Sequence, residues 1–219
     1  MQRMFFRLAA TAALLVLSPF VQAAVIAPGG STSSTTSSGG DLGPNTVLGT
    51  LTAPLTTPTF DATVRQAVVK ENSTGLLTFL YQISDAVNSS DALRRLTGSK
   101  FDGNTTDVFV ATTNLPALFT PGTVDYNTAD RSNEGGSTGN VVGFDFGVSS
   151  LTPGTTSHVY AVRVNATTFD QNGFISAIDE TSAFVSAFQP TNVVPEPGCC
   201  AVLALGLFAG VARRTRRGR

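Results

Sequence analysis

Residues 141–149 read Val141-Val142-Gly143-Phe144-Asp145-Phe146-Gly147-Val148-Ser149. Val142, Phe144, Phe146 and Val148 recur at every second position, with Gly143, Asp145 and Gly147 between them. A period of two sends alternate side chains to opposite faces of a strand, whereas a helix would need a period near 3.6. The stretch is therefore a half-buried β-strand. Downstream the signature returns in residues 158–165, with Tyr160, Val162 and Val164 on one face. Upstream, Gly75-Leu76-Leu77-Thr78-Phe79-Leu80-Tyr81-Gln82-Ile83 is apolar enough for a central strand. Residues 60–69, 107–113, 174–179 and 181–188 supply further strand-like runs rich in β-branched and aromatic side chains.

Turn formers separate these runs. Asn72-Ser73-Thr74-Gly75, Gln171-Asn172-Gly173 and Pro153-Gly154 are expected between strands, with Asn-Gly favouring a tight hairpin at positive φ. Ser90-Asp91-Ala92-Leu93-Arg94-Arg95-Leu96 fits a short helix capped by Ser90 or Asp91 as well as it fits a strand. No repeat of solenoid period is present. Strands of about six to nine residues without long helical periodicity predict an all-β chain, an antiparallel β-sandwich over residues 44–190. Residues 24–43 hold a Gly/Ser/Thr tract with little apolar surface to bury and are expected to form a flexible leader.

Charge is unevenly distributed. Between residues 24 and 194, seven basic residues (Arg65, Lys70, Arg94, Arg95, Lys100, Arg131, Arg163) stand against fourteen acidic ones, so 7 − 14 gives −7. An acidic body argues against binding nucleic acid, or anionic lipid by charge. The chain's two cysteines are Cys199 and Cys200, so no disulfide can staple the body and its stability must come from packing.

Each end carries an address. Arg3 and Arg7 precede an apolar run over residues 8–17, and Val21-Gln22-Ala23 supplies small residues where signal peptidase reads. Residues 1–23 are expected to be a signal helix cleaved between Ala23 and Ala24. At the other end, Pro195-Glu196-Pro197 precedes an apolar segment at residues 198–212, then Arg213, Arg214, Arg216, Arg217 and Arg219. As a helix the apolar segment spans about 22 Å at about 1.5 Å per residue, short of the roughly 30 Å hydrocarbon core, and flanking arginines offset part of the deficit by snorkelling. A transmembrane helix with cytoplasmic arginines is expected, leaving the body outside. The prolines keep the tripeptide extended, the form a protease binds.

This order of parts over residues 191–219 resembles the PEP-CTERM sorting domain of bacterial exported proteins. The resemblance implies recognition of Pro195, Glu196 and Pro197 by exosortase, a membrane protease-transpeptidase. It also implies transient anchoring in the inner membrane, followed by a cell-surface or extracellular location in a polysaccharide or biofilm matrix. Cys199-Cys200, directly after Gly198, leave open a lipid-modified processing route. The body, over residues 75–179, is similar to extracellular domains often attached to this signal. That similarity rests on Gly75-Leu76-Leu77-Thr78-Phe79, Arg95-Leu96-Thr97, Val142-Gly143-Phe144-Asp145-Phe146 and Pro153-Gly154-Thr155-Thr156-Ser157. It implies a β-sandwich without catalytic residues.

Few residues suggest chemistry. His158 is the sole histidine and has no cysteine partner in the body. No serine lies in a Gly-x-Ser-x-Gly context. Two acidic loops carry oxygen ligands: Asp102, Asn104 and Asp107, then Asp125, Asn127, Asp130, Asn133 and Glu134. Asp102, Asp107, Asp125 and Asp130 are candidate calcium ligands, although neither loop follows the EF-hand pattern and such residues are also ordinary turn formers. The sequons at Asn72, Asn88, Asn104 and Asn165 are the chance yield of a Ser/Thr-rich chain. The expected function is that of a non-enzymatic exported surface or matrix protein without a cofactor. A calcium-dependent adhesin or glycan-binding module is the alternative, and a secreted hydrolase the second alternative.

Overall fold

Val142 and Phe144 are buried on one face of a strand, as their spacing requires, and Phe146, directly after it, is buried in the same core. The computed structural model describes residues 24–34, 38–40, 42–132, 139–147 and 151–191, so Val148 lies outside the described residues. The strands are β1 (Ala24–Val25), β2 (Ser31–Ser33), β3 (Ser38–Gly40), β4 (Asn45–Thr56), β5 (Asp61–Glu71) and β6 (Leu77–Asp85). They continue as β7 (Arg95–Ser99), β8 (Thr106–Ala111), β9 (Thr128–Arg131), β10 (Val141–Asp145), β11 (Val159–Val164), β12 (Phe169–Ile178) and β13 (Ser182–Pro190).

These form two sheets. Sheet A runs β1-β8-β11-β6-β5-β4, and sheet B runs β13-β12-β7-β10-β9-β2. Neighbours are antiparallel except β3, which pairs parallel to β8 beyond the stretch that β1 occupies. The all-β, two-sheet expectation holds. The signal segment at residues 1–23 and residues 192–219 lie outside the described residues.

The inner faces meet in one apolar layer. Phe79, Tyr81 and Ile83 of β6 and Tyr160, Val162 and Val164 of β11 face Leu96, Phe144, Ile175 and Ala177 from sheet B. Aromatic rings fill its centre: Phe144 stacks on Tyr160 at 4.9 Å and lies 5.4 Å from Tyr126. Each such ring, fully buried, contributes about 1.5–3 kcal/mol by leaving water. Sheet A has a second layer on its outer face. There Ala67, Val69, Leu80, Phe109, Ala111, Val159 and Ala161 pack beneath Leu42, Leu115, Leu118 and Phe119. β6 is thus covered on both sides, which is why its sequence is a nearly unbroken apolar run.

Two buried glutamines act as substitute backbone. Gln66 points inward from β5, donates Nε2 to Phe188 O at 3.0 Å and accepts Phe188 N–H at 2.8 Å, clipping edge strand β13 to sheet A. Gln82 points outward from β6 and holds the covering loop, donating to Thr120 O at 2.6 Å and accepting Thr120 N–H at 3.1 Å.

Three expectations need correction. The Gly/Ser/Thr tract is not a free leader: it passes from sheet A through β1, to sheet B through β2, and back through β3. Ser31 and Ser33 are exposed, but the backbone of the tract pairs with the edges of β8 and β9, and Ile26 and Leu42 insert into the inner and outer apolar layers. Gln171-Asn172-Gly173 does not join two strands. It forms an irregularity inside β12, where Asn172 N–H and Nδ2 donate to the Asp170 carboxylate while β13 pairs on either side. Residues 125–134 are not loop throughout, because Asp130 lies in β9. The open choice at residues 90–96 resolves against the helix: Ser90 and Asp91 form a bend in which both N–H groups donate to Thr59 O, Leu93 bridges Leu151, and β7 begins at Arg95.

Candidate functional site

The calcium candidates are not gathered into one place. Asp102 and Asp125 are exposed on separate loops. Asp107 alternates with inward-facing Val108 and so lies on the outer face of sheet A, whereas Asp130 alternates with inward-facing Ala129 and lies on the outer face of sheet B. The Asp130 carboxylate accepts both Arg95 guanidinium nitrogens at 2.6 Å. Gly143 makes room for that pair, since a Cβ there would fall 2.0 Å from Arg95 Nη2. Asp125 and Asn127 line an open depression of about 390 Å³ with Ser34, Thr123 and Phe146. Among the described residues, no group of three or more His, Cys, Asp or Glu side chains is placed to hold a metal ion. Asn133 and Glu134 lie outside them.

Beside Asp102, the cation is one the chain supplies. Arg131 is buried between the sheets, with Nε donating to Gly139 O, Nη2 to Phe101 O and Nη1 to Ile26 O at 3.0, 2.8 and 3.4 Å. Three chain segments thus meet on one guanidinium. Burial lowers its pKa and the nearby Asp102 raises it, the first effect being larger. Gly139, at φ +79°, is the only residue type that fits, because a Cβ would fall 2.3 Å from Arg131 Nε. On the outer face of sheet A, Glu71 accepts from Arg163 and Thr78, and Arg163 lies 4.8 Å over the Phe109 ring. Asp107 joins this group. Burial raises its carboxyl above the usual range, Arg163 opposes that and Glu71 adds to it.

His158 is half-buried in a second depression with Leu115, Phe119 and Gly122. Its neighbour Ser157 is buried, and the hydroxyl is committed to the main chain: it accepts Ile83 N–H at 3.1 Å and donates to His158 O at 2.8 Å. That leaves it poorly placed as a nucleophile.

Sequence reasoning missed the most unusual polar pair. Asp85 extends the inward series Phe79, Tyr81, Ile83, and Asp179 extends the inward series Ile175, Ala177 on the opposite sheet. Asp85 is 3% exposed. The Asp179 side chain is 1% exposed. Ser89 Oγ donates to Asp85 Oδ1, and Arg94 Nε lies 3.4 Å from Asp179 Oδ1. Both Oδ2 atoms are buried and lack a hydrogen-bond partner in the described structure. Burial is the main reason the Asp85 carboxyl sits above its ordinary range; Ser89 opposes the shift, and Asp179 and Asp61 add to it. The available signal was the period of two, which assigns both aspartates to core positions.

Ala23, Pro195, Glu196, Pro197, Cys199, Cys200 and the five terminal arginines lie outside the described residues; Ala24 opens β1 opposite Val108. No helix among the described residues is long and apolar enough to cross a membrane. Comparison with protein-family models, with curated proteins and with solved structures found no match.

Proposed function

We propose that this chain is an exported, non-enzymatic surface or extracellular-matrix protein. A signal peptide delivers it, and a tail resembling PEP-CTERM sorting signals sorts it. Exosortase-type processing follows transient residence in the inner membrane, and the setting implied by the resemblance is an exopolysaccharide or biofilm matrix. The observation that carries the reading is where the strands stop relative to the tail. The described strands end with β13 at Pro190, shortly before Pro195-Glu196-Pro197, and Thr191 after it is no longer part of a strand. The commitments of Glu71, Asp130, Arg131 and Ser157 to structural partners also favour a domain that displays a surface over one that turns over a substrate.

The test is to replace Pro195, Glu196 and Pro197 with alanine, or the five terminal arginines with glutamine, then fractionate cells and sequence the C-terminus by mass spectrometry. The expected result is a released wild-type protein lacking the arginine tail, and variants that stay with the membrane and retain Arg219. Release of the variants with the same mature C-terminus as wild type would overturn the proposal.

A further inference from the structure

Four buried side-chain oxygens of the described residues have no hydrogen-bond partner. Two belong to the neutral amides of Asn104 and Gln189, and two to the carboxylates of Asp85 and Asp179. An amide oxygen left dry costs about 1–3 kcal/mol, and a dry charged oxygen costs more unless a proton or a cation answers it.

The two carboxylates sit at the same end of the sandwich and enter the inter-sheet space from opposite sheets, one closing β6 and the other directly following β12. That end is cross-tied. Thr59 Oγ1 and Thr181 Oγ1 are 2.8 Å apart, joining the entry to β5 with the turn after β12. Ser89 Oγ meets both Asp85 Oδ1 and Asp61 O. Each carboxylate is therefore held by its Oδ1, Asp85 by Ser89 and Asp179 by Arg94, while its Oδ2 remains unanswered. Outer partners that orient one oxygen and leave the other bare are the usual support of a ligand carboxylate. Arg94 approaches from solvent with its own side chain 66% exposed, so it does not fill the interior. Asp61 adds negative charge without adding a ligand, because it alternates with inward-facing Ala62 in β5 and so lies on the outer face of sheet A.

We infer that Asp85 and Asp179 form a divalent-cation site of calcium type that clamps the two sheets together at this end of the sandwich. Two hard carboxylate oxygens from separate sheets suit calcium, which accepts six to eight oxygens in irregular geometry and completes its shell with main-chain oxygen and water. Magnesium demands a near-ideal octahedron and is the poorer fit. The site is separate from Asp102, Asp107, Asp125 and Asp130, and it stands whether or not the tail is a sorting signal.

Equilibrium dialysis of the full-length chain against radioactive calcium, with thermal unfolding in calcium and in chelator, tests the inference. The expected result is one calcium per chain. Tm should rise by about 5–10 °C at free calcium a hundredfold above Kd. Asp85→Asn and Asp179→Asn should each lose both effects, while Asp102→Asn and Asp125→Asn keep them. If one asparagine variant does not fold, the other variant and the calcium dependence of wild-type Tm decide. Absence of binding by wild type, retention in a folded Asp85→Asn or Asp179→Asn variant, or loss in Asp102→Asn or Asp125→Asn would overturn the site. A proton shared by the pair would also overturn it, and its signature has a definite sign. Asp85 has a raised folded pKa, so the folded state would bind the extra proton and gain stability as pH falls through that raised value towards 3.8, without response to calcium.

Discussion

The outer faces of the two sheets differ sharply. Sheet A is roofed: Leu42, Leu115, Leu118 and Phe119 cover Leu80, Phe109 and Ala161, and Gln82 fastens the roof through Thr120. Sheet B is open. It shows the Arg95–Asp130 pair and two exposed rings, Phe174 and Phe184, in edge contact at 5.7 Å. The difference teaches that sheet A is a middle layer buried on both sides, while the outer face of sheet B carries no such layer among the described residues.

The largest way to break this contrast is Phe109→Ala. If the roof is a true second core, removing a fully buried ring should cost about 3–5 kcal/mol in urea unfolding. A cost below about 1 kcal/mol would mean the roof is only draped over the sheet. Gln82→Ala comes next. It strands Thr120 N–H, Thr120 O and Ser157 O, at a cost of about 1–3 kcal/mol. Limited proteolysis should then cut within residues 112–123, which wild type resists; equal resistance would show that apolar contacts alone hold the roof. The smallest effects belong to sheet B. Arg95→Ala and Phe184→Ser should each change stability by at most about 1 kcal/mol, since one breaks a solvent-accessible ion pair and the other trims a ring already in water. A larger loss for Phe184→Ser would mean the open face is covered in solution.

The same contrast explains what the sequence could disclose. β10 and β11 alternate cleanly and were legible from spacing alone, as was the central place of β6 from its unbroken apolar run. β1, β2 and β3 were not legible, because Ser, Thr and Gly join a sheet edge through backbone hydrogen bonds that carry no side-chain signature. Gln171-Asn172-Gly173 misled because Asx chemistry that closes a hairpin also builds an irregularity within a strand. Asp130 and Asp107 looked like loop ligands because composition is blind to which face of which sheet a residue reaches. Asp85 and Asp179 were hidden for the opposite reason: each sits in phase with a core stripe, and only the third dimension brings the two stripes face to face.

Gln66 has a mechanical consequence. β13 is an edge strand whose Pro190 pairs with Phe169 at the end remote from the turn to β12. A load applied after Thr191 would therefore peel β13 from β12 one rung at a time, the weakest mode for a strand pair. The paired hydrogen bonds between Gln66 and Phe188 lie near the first rungs of that zipper and tie it to the other sheet. Early peeling must then break both sheets' hold at once, so one glutamine stiffens the point where a tether would pull.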